Sequence, residues 1–308
     1  MATSRATHPH TPAADFRLGV LLVAGAAIAW SFGGTIARYI EAPDAWTVVF
    51  WRSLFASTFL LLFMLWRDGP EATVKMFRAM GWPGLGVACC FGIASSSFVV
   101  ALQHTTVANI LLIQAAAPLF AALLAWMVFR ERVNLATWIA IAAVICGVAI
   151  MVSASFSGQV SPLGDGLALV ITVLFSAAIV ITRHHPQVRM TPAVCLGTAM
   201  ACAVAFFLSG PLAVSMPDFF WLFLFGAVNL GAGLAMFVTG ARLVPAALAA
   251  LVSTLEPVLG PVWVWLFHGE VPGTRTVIGG AIVFVALLIH ILNDWRRQRE
   301  RKRIRPRA

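Results

Sequence analysis

Hydrophobic residues in this chain neither alternate nor recur one helix turn apart. They run on for about twenty positions at a time, close to the roughly 17–25 residues that a helix needs to cross a bilayer. Ten such runs stand out, at 18–38, 46–66, 82–102, 107–128, 134–153, 163–183, 192–212, 219–240, 246–267 and 275–294. Each is continuously apolar rather than alternating over about ten residues, so the runs predict helices and not barrel strands. The connections are short and leave no room for a soluble domain. The first run is too long, and its flank too weakly basic, for a cleaved signal peptide, so it is expected to remain as a span.

The runs fall into two sets. Pro118 precedes Glu131 by thirteen residues, and Pro257 precedes Glu270 by the same interval. An offset of 139 lays 117–150 on 256–289 without a gap and gives eight identities in 34 positions, where about three are expected by chance. These are Pro118/Pro257, Trp126/Trp265, Glu131/Glu270, Thr137/Thr276, Ile139/Ile278, Ala142/Ala281, Val144/Val283 and Ile150/Ile289. The same offset pairs Gly92 with Gly231 and Phe98 with Phe237. Near the start of each half an offset of 145 pairs Leu18-Gly19 with Leu163-Gly164, Ser31 with Ser176 and Arg38 with Arg183. Five is an odd number of crossings, so the second half must enter the membrane upside down. The expected fold is an all-α membrane protein of ten helices, built as two inverted five-helix repeats, 18–153 and 163–294. A segment 1–17 precedes them and a basic tail 295–308 follows. Paired helices interrupted at Pro118 and Pro257 are the pattern of secondary transporters, whose sites lie near such interruptions.

Composition agrees. The 308 residues are 60% hydrophobic and 11% charged, against about 25% charged in soluble domains. The net charge of +9 is distributed for topology rather than for nucleic acid. Eighteen of the 21 Lys and Arg fall on the side of the termini, Arg38 and Arg275 on the other, and Arg52 within a span. By the positive-inside rule both termini are expected in the cytoplasm of a cell whose inner membrane holds the chain. The tail is then a topology anchor near anionic headgroups. Cys89, Cys90, Cys146, Cys195 and Cys202 all lie in apolar runs, which argues against a disulfide framework or a zinc site. Trp46, Trp66, Trp82, Trp126, Trp138, Trp221, Trp263, Trp265 and Trp295 mark span ends as an interfacial belt, with Trp30 and Trp51 deeper.

Several short motifs, in order, resemble the drug/metabolite transporter superfamily in its ten-span branch with two EamA-type repeats. They are Phe50-Trp51-Arg52, Ala101-Leu102 with Thr105 and Ala108, Pro118…Glu131, Leu255-Glu256-Pro257-Val258, and Phe267-His268-Gly269-Glu270. The resemblance covers roughly 18–293. One departure is Arg130, where such repeats often carry a small residue before the glutamate. The resemblance implies ten helices around a central cavity and transport of small metabolites, often outward. Similar members export amino acids and other metabolites, some of them aromatic amino acids or cationic toxicants. It does not carry over a substrate.

Glu256 is the one acidic residue expected at mid-membrane, where a charge costs at least about 2.5–3.5 kcal/mol and normally faces a partner or a watery cavity. With Pro257 freeing a backbone carbonyl, it is the first candidate for binding an amino or cationic group and for proton coupling; a helix-bridging role is the alternative. Arg52 is the matching cation, for a substrate carboxylate, for Glu256 or for the headgroups. In the first broken helix Gln114 lies nearer the break than Asn109, and the two point about 140° apart. Ser96 with Ser95 and Ser97, and Asn229 in span 8, form a further polar level, and Trp30 offers a flat aromatic wall. Each has an interhelical or packing role as its alternative. His104 and His184-His185 lack ligand spacing, so no metal is expected. No cofactor is expected either.

The absence of a phosphate-binding loop leaves a gradient-driven carrier. The expected function is export of amino acids or related compounds by alternating access. A multidrug or cationic-toxicant exporter, or a lipid flippase, is the alternative. No H-E-x-x-H or G-x-S-x-G motif supports an intramembrane lipid enzyme.

Overall fold

The computed structural model of the protein describes residues 12–42, 44–131, 133–156, 161–185 and 189–304. The expected basic tail beyond 304 and the first eleven residues lie outside them. Among the described residues all regular structure is helical, as hydrocarbon requires of any chain that must satisfy its own backbone. Among the described residues nine helices are long and apolar enough to cross a membrane, and a pair bent by 41° supplies the tenth.

Span 1 comprises Pro12–Ser31 and Gly33–Arg38, and span 2 is Ala45–Asp68. A short helix Pro70–Ala79 leads to span 3, Gly81–Ala101. Span 4 is split into Val107–Gln114 and Ala117–Phe129, and span 5 is Leu135–Phe156. Spans 6 and 7 are Pro162–His184 and Met190–Leu208. Span 7 is shorter than the apolar run to 212, because Ser209-Gly210-Pro211 ends it with a proline that cannot continue the helix. Span 8 runs through Met216–Phe223, a π-helical stretch Leu224–Ala232, and Gly233–Gly240. Span 9 is split into Ala246–Ser253 and Leu255–His268, and span 10 is Thr274–Ile304.

Span starts are fixed by side-chain caps. Asp44 accepts the Thr47 N–H at 2.9 Å and its hydroxyl at 2.7 Å. Thr106 accepts the Asn109 N–H at 3.2 Å, and Ser215 the Asp218 N–H at 3.1 Å. These satisfy donors that a helix leaves open at its N-terminus.

The inverted repeat is visible in which helices touch. Spans 2 and 7 pack together, as do spans 5 and 10, so each helix meets its own repeat partner. Span 3 against span 6 is matched by span 8 against span 1, and span 4 against span 6 by span 9 against span 1. Small residues bring backbones together where they cross. A Cβ on Gly147 would lie 2.7 Å from the Gly279 carbonyl, and one on Gly92 would lie 2.7 Å from the Gly197 carbonyl. The largest apolar cluster, including Ile110, Leu119, Ile141, Met151, Ile171 and Phe225, joins both repeats. One face of the bundle carries the first and last described residues; it is called the terminal face below, and the other the opposite face.

Candidate functional site

Four interruptions lie on elements that pack against one another. Span 1 breaks at Phe32, span 4 at Ala115-Ala116, span 9 at Thr254, and span 8 widens into its π segment. The two repeat prolines sit just past their breaks. Pro118 is the second residue of Ala117–Phe129 and Pro257 the third of Leu255–His268. In a helix's first turn a proline's missing N–H removes no hydrogen bond, so each proline fixes the start of the second half-helix.

The break in span 1 is satisfied from the second repeat. Asn229, in the π segment, donates through Nδ2 to the carbonyl of Ala29 at 2.6 Å and of Trp30 at 3.3 Å. Trp263 donates through Nε1 to Ser31 Oγ at 3.0 Å and stacks on Phe32 with ring centroids 4.8 Å apart. Asn229 thus bridges helices, and Trp263, an expected belt residue, lies beside the break. Trp30 turns its ring toward span 8, onto Phe237 at 5.4 Å and against Gly233. Its indole nitrogen is buried without a hydrogen-bond partner.

Glu256 and Gln114 come to one depth from the two broken spans. Gly260 faces the tip of Leu111 and the Ser31 carbonyl. Glu256 is one turn before Gly260 on the same helix face, about 6 Å toward the terminal face. Gln114 is three residues after Leu111 on its face, about 4.5 Å in the same direction. Both side chains are partly accessible, and neither has a hydrogen-bond or ion-pair partner among the described residues. A partly accessible carboxylate and amide beside the breaks can bind a cationic or amino group without first giving up a partner.

The other expected residues lie elsewhere. Arg52 is 6% exposed and donates to Ser95 Oγ at 2.7 Å, with its guanidinium 4.3 Å from the Phe225 ring. It is tied to spans 3 and 8 and forms no ion pair with Glu256. Its Nε is buried without a partner. Asn109 joins a buried polar node: Nδ2 donates to Asp165, and Oδ1 accepts from Thr276 Oγ1 at 3.3 Å. Asp165, 1% exposed, also accepts from Thr105 Oγ1 at 3.5 Å. This acid went unrecognised because it lies three residues into its apolar run, where a carboxylate reads as a helix-start residue. Ser96 donates to the Gly92 carbonyl at 2.9 Å and lines a lateral groove of about 320 Å³ between spans 3 and 7, bordered by half-exposed Ile93 and Val204. No group of three His, Cys, Asp or Glu positioned for a metal occurs among the described residues.

Above and below this level lie two related ion pairs. On the opposite face Arg38 meets Glu270 at 2.9 Å; on the terminal face Arg183 meets Glu131, whose other oxygen lies 3.1 Å from His184 Nε2. The Arg183 hydrogen bond holds the Glu131 carboxyl below the usual carboxylate range, and the charges of Arg183 and His184 act in the same direction. The repeated arginines and the repeated glutamates are therefore partners, each arginine pairing with a glutamate of the other repeat.

Known proteins of similar sequence and shape fit this layout. A crystal structure with 18% sequence identity superposes with a TM-score of 0.62 over 90% of this chain and 98% of its own, and so shares the fold. An uncharacterized transporter of Archaeoglobus fulgidus is 24% identical over 83% of this chain and 91% of its own length. The uncharacterized transporter sll1164 of Synechocystis is 23% identical over 70% of this chain and 66% of its own. The EamA-like transporter family model matches twice, over residues 17–153 and 162–292. With both repeats matched and ten helices arranged around their interruptions, the chain belongs to the EamA-like transporter family.

Proposed function

We propose that this transporter is a secondary carrier that exports amino acids or related amino-bearing metabolites across an inner membrane. Both termini are cytoplasmic, and the substrate is held at mid-depth by Glu256 and Gln114. The observation that carries this reading is the Glu256 carboxylate, partly accessible yet without a partner, where spans 4 and 9 break. A carboxylate at that depth is costly unless it serves a cavity or a cation. The Phe32–Trp263 stack, two turns from Glu256 on the same helix face, favours a substrate whose positive charge lies beside apolar or aromatic surface. Proton exchange at Glu256 would couple export to the proton gradient.

The test begins with a thermal-shift screen of purified protein against amino acids, purine bases and quaternary amines. Hits are then assayed for counterflow in proteoliposomes. We expect Glu256→Gln to lower flux at least about tenfold, as loss of a charge-assisted contact does, while insertion and monodispersity are retained. Wild-type flux in that variant would remove Glu256 from the site. Shifts by quaternary amines alone would favour a cationic-toxicant exporter, and lipid scrambling without solute flux a flippase.

A further inference from the structure

The two ion pairs occupy equivalent positions in the repeat but are not in equivalent states. Arg38 and Arg183 correspond by the offset of 145, and Glu131 and Glu270 by the offset of 139. Their ring neighbours correspond too. Tyr39 packs on His268 at 4.5 Å, and the equivalent His184 packs on Phe129 at 3.7 Å. Up to this point the two ends are copies.

They differ in what else each pair holds. On the opposite face Arg38 reaches past Glu270 to the turn between spans 3 and 4. Its Nη1 donates to the Leu102 carbonyl at 2.6 Å and its Nη2 to the Thr105 carbonyl at 3.2 Å. Glu270 completes the link by accepting the Val107 N–H at 2.7 Å. Tyr39 also stacks on Trp221 at 4.5 Å. On the terminal face the corresponding turn lies between spans 8 and 9, with Ala241, Val244 and Ala246 in place of Leu102, Thr105 and Val107. The turns have the same shape. Ala241 N–H donates to Phe237 and Leu243 N–H to Gly240, as Leu102 N–H does to Phe98 and His104 N–H to Ala101. Yet among the described residues Arg183 bonds only to Glu131.

Exposure and packing follow. The Arg38 and Glu270 side chains are 30% and 19% exposed, those of Arg183 and Glu131 54% and 37%. Trp82, the counterpart of Trp221, is 84% exposed. On the opposite face the half-helices Val107–Gln114 and Leu255–His268 pack together; their counterparts, Ala117–Phe129 and Ala246–Ser253, make no comparable contact.

We infer that the two Arg–Glu pairs are the two gates of the carrier, with the opposite-face gate shut and the terminal-face gate open in this structure. The terminal gate closes when Arg183 takes the carbonyls of Ala241 and Val244, Glu131 takes the Ala246 N–H, and His184 meets Trp82. Each pair stays formed throughout; what is made and broken is its grip on the turn between spans 3 and 4 or between spans 8 and 9. This deepens the alternating-access reading and rests on it.

The experiment needs no substrate. In the full-length chain with its five cysteines replaced, Ala115→Cys in the span 4 break reports which face reaches mid-depth, through labelling by membrane-impermeant maleimide added to one side. Arg38→Gln and Glu270→Gln are each expected to raise labelling from the opposite face about tenfold, within the usual range of coupling between two states. Arg183→Gln and Glu131→Gln are expected to lower it, because they weaken the state in which the terminal gate is shut. Arg38→Gln combined with Arg183→Gln should return toward the parent value. Shifts of the same sign from both pairs, or none from either pair in inserted protein, would overturn the inference. If Arg38→Gln does not insert, Glu270→Gln tests the same gate. Labelling is independent of flux, so loss of the Glu256 reading would leave this outcome standing, and the converse holds.

Discussion

At the scale of single residues, the repeat carries one conformational mismatch. Helix Leu255–His268 ends at Gly269 with φ 66°, and the equivalent helix Ala117–Phe129 ends at Arg130 with φ 52°. Left-handed backbone costs an L-residue with a Cβ about 1–2 kcal/mol, and glycine nothing comparable. Arg130→Gly is therefore expected to raise stability by about 1 kcal/mol, read as a higher thermal midpoint in detergent, and Gly269→Arg to lower it similarly. An unchanged midpoint in Arg130→Gly would mean that contacts of the arginine offset the strain. The departure at Arg130 was visible in the sequence; its backbone conformation was not. The same limit governs the candidate site. Glu256 was legible because a carboxylate in the middle of an apolar run has few structural explanations. Asp165 was not, being three residues into its run. Trp30 was expected at depth as an aromatic wall; the direction of its ring toward Gly233 depends on span 8, which no local pattern specifies.

At the scale of elements, the breaks decide which polar residues bind and which bridge. A broken helix exposes carbonyls that must find donors inside the membrane, and Asn229 supplies them to Ala29 and Trp30. Sequence placed Asn229 at a polar level without separating these roles, because a polar residue in a span serves either. The π widening that aims Asn229 at span 1 has no hydropathy signature. Asn229→Ala should therefore act on stability, at about 1–3 kcal/mol for carbonyls left without a donor, and leave the substrate KM of the folded fraction unchanged. A raised KM with an unchanged thermal midpoint would return Asn229 to the binding site. The prolines give the complementary case: their spacing announced the broken spans, while the breaks fall two to three residues earlier, since a proline restricts the residues before it.

At the scale of the whole molecule, the offsets of 139 and 145 carried the architecture. An odd number of spans per repeat forces inversion, and inversion relates helices such as 5 and 10 by a pseudo-twofold axis, across which these two meet. The identity of those crossings was not legible, because lipid is as apolar as the side chains and association rests on close backbone fit. Gly147 and Gly279 mark one such fit. A Cβ on Gly279 would strike the Gly147 carbonyl and lie 2.6 Å from Met151 Cγ. Neither backbone nor a fully buried Met151 can yield, so Gly279→Leu must separate the two helices. We expect a loss of about 1–3 kcal/mol, the range for overpacking, as a lower thermal midpoint in detergent. A Cβ on Gly166 in span 6 would meet no atom within 4 Å, so Gly166→Ala should not lower the midpoint. Span 10 packs on the first halves of spans 4 and 9, and span 5 on both halves of span 4; if the 5–10 contact is a fixed seam beneath them, the Gly279→Leu protein that remains folded should keep its mid-depth labelling ratio between the two faces. A shifted ratio would mean that the 5–10 contact is a moving part of the transport cycle rather than the fixed seam around which the gated helices rock.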